Sequence, residues 1–187
     1  MRLPFQGAIE RRRVRLALSP QDRARLAALR LRAKQRARED RRTTTGLLSL
    51  ARFVAMDLET TGPNMMRDRI ISIGAVAVVE RSVRHDDAFE VVVRQASESR
   101  ADNILIHQIG GQEQRAGVEP TDALLSFLEF LDGSIAVAFR SEFDSTVLGR
   151  ELQDSLGIRA GPRFLDLASM LPALFPNTPN DSLDDWA

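Results

Sequence analysis

Cysteine is absent from the 187 residues, which excludes a disulfide framework and a thiolate zinc site and leaves oxygen and imidazole as the available metal donors. No uninterrupted apolar run approaches the roughly 20 residues that a bilayer span requires. The arginine-rich start also lacks the apolar stretch and small-residue cleavage site of a secretory signal. These absences lead to the expectation of a soluble, cytoplasmic chain with no membrane partner. Lysine is nearly missing too, Lys34 being the single one among 26 basic residues. The two histidines are His85 and His107, and none follows.

What is present is enough for one α/β core: 43% of the residues are hydrophobic, in a chain of ordinary single-domain length. The formal net charge of zero hides a segregation, because residues 1–42 carry 14 Arg and Lys against 4 Asp and Glu, while residues 43–187 carry 12 against 22. A basic arm therefore precedes an acidic body. Such an arm could grip phosphates with a strong salt dependence, or lie against its own acidic body, and composition does not choose.

Ser19-Pro20-Gln21-Asp22 has the form of an N-cap with proline at the first helical position, and the Ala, Leu and Arg residues up to about Asp40 predict a helix. Leu26, Leu29 and Leu31 make a thin apolar face, so the helix is expected to dock on something. Thr43-Thr44-Thr45-Gly46 breaks the pattern, giving an arm of residues 1–45 and a globular domain of 46–187. Strands are expected at Phe53 to Leu58, Ile70 to Val79 and Phe89 to Arg94, as an antiparallel meander. The period then changes. Leu124, Phe127, Leu128 and Leu131 mark a helix, Ile135 to Phe139 a short strand, and Phe143, Val147, Leu148, Leu152 and Leu156 a second helix closed by Gly157. Leu165 to Phe175 reads as a weaker helix with Pro172 bending or ending it, and Ser182-Leu183-Asp184-Asp185 as the opening turn of another.

Asp57 and Glu59, two apart at the end of the first strand, project from the same face of the sheet. They are either solvated acids or a hard-cation site, since close like charges are costly without a neutralising ion and the donor set favours Mg²⁺ or Mn²⁺. Thr60-Thr61-Gly62 behind them is either an ordinary turn or a place where hydroxyls and amides approach a nucleotide.

Asp57-Leu58-Glu59-Thr60-Thr61-Gly62, with Phe53-Val54-Ala55-Met56 before it and Asp68-Arg69-Ile70-Ile71-Ser72-Ile73-Gly74 after it, closely resembles the first motif of the DEDD exonucleases of the DEDDh type. Asn103-Ile104-Leu105-Ile106-His107-Gln108-Ile109-Gly110 is similar to the family's His-Gly-Ile loop, with Gln108 where glycine is usual. Ala136-Val137-Ala138-Phe139-Arg140-Ser141-Glu142-Phe143-Asp144 resembles the second motif, but with Arg140-Ser141 in place of His-Asn or His-Ala. Each key residue also has a plain structural role open to it: Asp144 as a first-turn helix acid, His107 as a packed histidine, Arg140 as a solvated surface group.

The resemblance implies a ribonuclease H-like α/β fold with a mixed sheet and flanking helices, and 3'-5' exonuclease activity releasing nucleoside 5'-monophosphates from DNA or RNA 3' ends. It implies two Mg²⁺ or Mn²⁺ ions, with Asp57 bridging them, Glu59 on the nucleophile side and Asp144 on the other. Thr60, Thr61 and His107 would contact substrate, and a DNA polymerase subunit is an implied partner. The family's third motif, a histidine followed five residues later by aspartate on a C-terminal helix, is absent, and Asp181, Asp184 and Asp185 lie in what resembles the segment before it. The expectation is therefore a domain lacking its last motif and nearly inactive as it stands, or else a nucleic-acid-binding module that keeps the fold without the activity.

Overall fold

The computed structural model describes residues 17–40 and 51–176. The expected boundary at Thr43 to Gly46 and the expected helix start at Ser182 lie outside the described residues. Helix α1 runs Pro20–Asp40 and starts where the capping residues put it. Asp22 donates its backbone N–H to Ser19 Oγ at 3.0 Å, and the Ser19 hydroxyl donates back to the Asp22 carboxylate at 2.6 Å.

Five strands follow, β1 Phe53–Thr60, β2 Ile70–Val79, β3 Ser82–Val92, β4 Ile135–Ala138 and β5 Phe164–Asp166, in the spatial order β3-β2-β1-β4-β5. The first three form the antiparallel meander, while β4 lies parallel to both β1 and β5. This is the mixed sheet with flanking helices that the motifs implied. Strand β3 begins well before Phe89 because Glu80 and Arg81 take left-handed φ values of 51° and 66°, making a tight two-residue hairpin turn. Its first half is exposed and charged, so the sequence pattern does not mark it as strand.

Between β3 and β4 stand α2 Ala101–His107, α3 Gly111–Ala116 and α4 Pro120–Leu131; α5 Glu142–Leu156 links β4 to β5, and α6 Leu167–Leu174 follows. The apolar stripes of α4 and α5 bury Leu124, Phe127, Val147, Leu148 and Leu152 against Val54, Met56 and Leu58 of β1. Gly157 closes α5 at φ 64°, as its position predicted. The reading of Leu165 to Phe175 as one helix needs correction. Its front end extends the sheet as β5 because Val137 and Ala138 of β4 pair with Leu165 and Asp166, and three residues are too few to show a period of two.

Helix α1 lies against the acidic body. Leu26 is buried in the main core and Leu29 packs beside it. The Arg25 guanidinium donates to both Glu129 carboxylate oxygens, at 2.8 and 2.7 Å, and also pairs with Asp122; Arg36 pairs with Asp132. The Glu129 carboxyl is held below its ordinary range by the Arg25 hydrogen bonds. Arg25→Ala is expected to lower the unfolding free energy by about 1–2 kcal/mol, the worth of a two-pronged, half-buried charged contact. Urea unfolding midpoints check this, and an unchanged midpoint would mean that α1 docks without help from Arg25.

Candidate active site

Burial alternates along β1. Val54, Met56, Leu58 and Thr60 are turned into the core, and Ala55, Asp57 and Glu59 are turned the other way. Asp57 pairs with Gly74 of β2, and the register slips between Glu59 and Thr60, an irregularity that re-aims the strand end where the chemistry-bearing residues sit. Asp57 lines an open depression of about 590 Å³ walled by Ala55, Gly74, Val76, Ala88 and Glu90. Since β1 and β4 are parallel neighbours, the turn after β4 delivers the start of α5 to the end of β1. That turn contains Arg140 at φ 55°, whose backbone N–H donates to the Asp166 carboxylate at 2.9 Å.

Asp144, in the first turn of α5, is 6% exposed. Burial, then the charge of Asp57, pushes its carboxyl up to about 6. Asp57 itself faces outward and is exposed; partial desolvation raises its carboxyl, with the Leu58 backbone N–H opposing, and that same N–H also lies against Asp144. Glu59 is raised by burial and then by Asp57, with His107 pulling the other way. Asp57 is thus the shared neighbour of the other two acids, and His107 stands beside Glu59. Among the described residues no three His, Cys, Asp or Glu side chains close into a group able to enclose an ion.

His107 ends α2 and is wired into the loop behind it. Its Nδ1 accepts the Ile109 backbone N–H at 3.0 Å, which leaves the neutral ring's proton on Nε2, 3.2 Å from Ser99 Oγ. Ser99 Oγ accepts from Gln114 Nε2 at 2.9 Å, and the fully buried Gln114 also binds Ser99 N and Ile109 O. Gln108, standing where the resembled loop has glycine, adopts φ 58° and donates its N–H to Ile104 O, so the left-handed turn is made without glycine. Asn103 ties α2 to β1 by donating to Thr60 O at 2.7 Å.

The threonine hydroxyls are engaged inside their own loop. Thr60 Oγ1 donates to Gly62 O at 2.8 Å; Thr61 Oγ1 donates to Asp68 at 3.1 Å and accepts the Arg69 N–H at 3.0 Å. A side chain at Gly62 would bring Cβ within 2.8 Å of Asp68 Oδ2, so it would have to displace the Asp68 carboxylate. Sequence reasoning missed Ser99 and Gln114, since a serine before a short helix and a glutamine inside another carry no pattern. Asp68 stood within the resembled motif, and its role as the loop's acceptor could have been suspected there.

Comparison with known proteins bears on the family and the fold. Residues 54–187 match the family model described as Exonuclease, RNase_T. The DNA polymerase III PolC-type protein of Caldanaerobacter subterraneus is 29% identical over 137 residues, which cover 72% of this chain and 9% of that protein. The DNA polymerase III subunit epsilon of Buchnera aphidicola is 26% identical over 137 residues, 69% of this chain and 57% of the relative. The chain therefore spans only part of either relative. Among solved structures, E. coli exonuclease I in complex with a dT13 oligonucleotide aligns over 72% of this chain and 32% of its own, with a TM-score of 0.56 at 20% identity. A second E. coli exonuclease I complex, with a 5cy-dT13 oligonucleotide, reaches 0.61 at 17% identity, covering 73% and 33%. These likenesses fix the fold, and with the family match over residues 54–187 the chain belongs to the exonuclease family.

Proposed function

We propose that this chain is a divalent-metal-dependent 3'-5' exonuclease domain that releases nucleoside 5'-monophosphates from single-stranded DNA or RNA. The observation that carries the proposal is the pairing of Asp57 with Glu59 on its own strand and with Asp144 from α5, with the carboxyls of Glu59 and Asp144 raised by desolvation and then by the charge of Asp57. Their repulsion is relieved when a hard cation binds, and the all-oxygen set fits Mg²⁺ or Mn²⁺, which accept one or two carboxylates and complete their coordination with water and phosphate oxygens. When bound, such ions supply polarisation of the phosphate and a lowered pKa for water.

The chain's own residues have separable tasks. Asp57, neighbour to both other acids, would serve both ions if they bind, with Glu59 the ligand on the nucleophile side and Asp144 the ligand on the leaving side. His107, with Nδ1 engaged, offers its Nε2–H to the terminal nucleotide by exchanging Ser99 for a ligand oxygen. Thr60 and Thr61 shape the loop that the nucleotide passes. No histidine follows His107, so no side chain here is assigned to take the proton from water. Association with a DNA polymerase, supported by the names of the relatives, belongs to the same proposal.

A second reading, a nucleic-acid-binding module with little activity, is favoured by the lack of a closed acidic group among the described residues. Oligonucleotides labelled at the 5' end, incubated in Mn²⁺ or in chelator, separate the two. With no side chain assigned to take the proton from water, the proposal expects only slow shortening from the 3' end, with mononucleotide release in Mn²⁺ and none in chelator. Binding without shortening supports the module, and endonucleolytic cuts or chelator-insensitive release defeat both.

A further inference from the structure

The loop from Thr61 to Arg69 directly follows the strand bearing Asp57 and Glu59, and α5, the helix bearing Asp144, holds it through the side chains of Arg150 and Glu151. Arg150 Nη1 donates to the Met65 carbonyl at 2.9 Å, and Nη2 donates to the Asp68 carbonyl. The Arg150 side chain is only 19% exposed. Its buried Nε has no acceptor among the described residues, so the loop carbonyls, together with the 3.4 Å contact of Nη2 to Glu151, set the direction of the guanidinium.

The neighbouring residue strengthens the attachment. Glu151, 4% exposed, accepts the Arg69 guanidinium at 3.0 Å. Asp144, Val147, Leu148 and Glu151 share the buried face of α5, so the first acid and the attachment point stand two helical turns apart on one rigid element. At the loop end, the Asp68 carboxylate accepts from Thr61 Oγ1 at 3.1 Å and from Asn64 N at 2.7 Å. A displacement of Asp68 is thereby transmitted to the residues that follow Glu59.

We propose that Arg150 is a positioning residue that sets the spacing between the β1 acids and Asp144 by clamping the loop after β1 onto α5. The inference rests on the assignment of those acids to divalent ions. A planar guanidinium can satisfy two carbonyls at once from a fixed direction, whereas an ammonium engages them as a point charge on a flexible stem. Arg150 touches neither ion nor substrate in this scheme; it acts through the backbone of the loop.

The test compares the full chain with Arg150→Met, which keeps the aliphatic stem and helix propensity, and Arg150→Lys, which restores charge and a donor. Thermal unfolding establishes that each is folded. Amide hydrogen exchange over residues 61–69 reports the clamp, and Mn²⁺ titration reports the site. Arg150→Met is expected to speed exchange in the loop and weaken Mn²⁺ binding by about 10- to 100-fold, as loss of groups that orient metal ligands does, with Arg150→Lys recovering part of both. Faster loop exchange with Mn²⁺ affinity unchanged, or no change in exchange, overturns the inference alone. A wild-type chain that binds no Mn²⁺ overturns the metal assignment and this inference with it.

Discussion

Asp57→Ala is expected to remove divalent-ion binding and nuclease activity together, and to do so more completely than Asp144→Ala. The reason lies in the electrostatics of the three acids. The charge of Asp57 is coupled to both Glu59 and Asp144, and raises each of them. Asp57 is the acid coupled to both of the others, so its removal leaves two acids without a common neighbour. Metal polarisation is worth several kcal/mol of transition-state stabilisation, so the activity loss is expected to reach roughly a thousandfold or more. Loss of Asp144 leaves Asp57 and Glu59 able to hold one ion. Calorimetric titration with Mn²⁺ should show no measurable binding for Asp57→Ala and one weakened site for Asp144→Ala. Equal losses in the two variants would contradict the division of roles.

Asp144→Asn is expected to stabilise the metal-free protein at neutral pH while it lowers activity. In the unfolded chain this carboxyl titrates near its ordinary value of 3.8, and in the fold near 6. Between those values the folded state binds more protons than the unfolded state, so stability falls as pH rises through the window. Above about pH 6 the full penalty of a buried, repelled carboxylate is present; below about pH 4 it has vanished. Asparagine keeps an oxygen for the Leu58 N–H without the charge. Allowing for solvent screening, the gain should be about 1–2 kcal/mol at pH 7.5 and near zero at pH 3.5. Urea midpoints in chelator at the two pH values decide the matter, a pH-independent difference being the contrary result. Saturating Mn²⁺ should reverse the order at pH 7.5, because only a state that binds the ion is stabilised by it, by about 2.7 kcal/mol at a hundred times Kd. An unreversed order would remove Asp144 from the metal assignment.

The division between sequence and tertiary structure follows how each kind of information is stored. Residue order alone determined the elements whose burial is regular: β1 and β2, the stripes of α4 and α5, the cap at Ser19 and the stop at Gly157. Periodicity records which face of an element is buried, and caps act within one turn. The same local logic placed Asp57 and Glu59 on one face of β1. It failed for β5, whose three residues are strand only because β4 lies beside them, and for the outer half of β3, whose exposed charges hide the pairing. Composition could not decide whether the basic arm turns outward. The docking of α1 depends on Asp122 and Glu129 facing Arg25 from α4, far along the chain. The approach of Asp144 to Asp57, the Gln114–Ser99–His107 wiring and the Arg150 clamp are likewise tertiary. Each joins groups whose separation is set by how elements pack, and neither propensity nor pattern along the chain contains that distance.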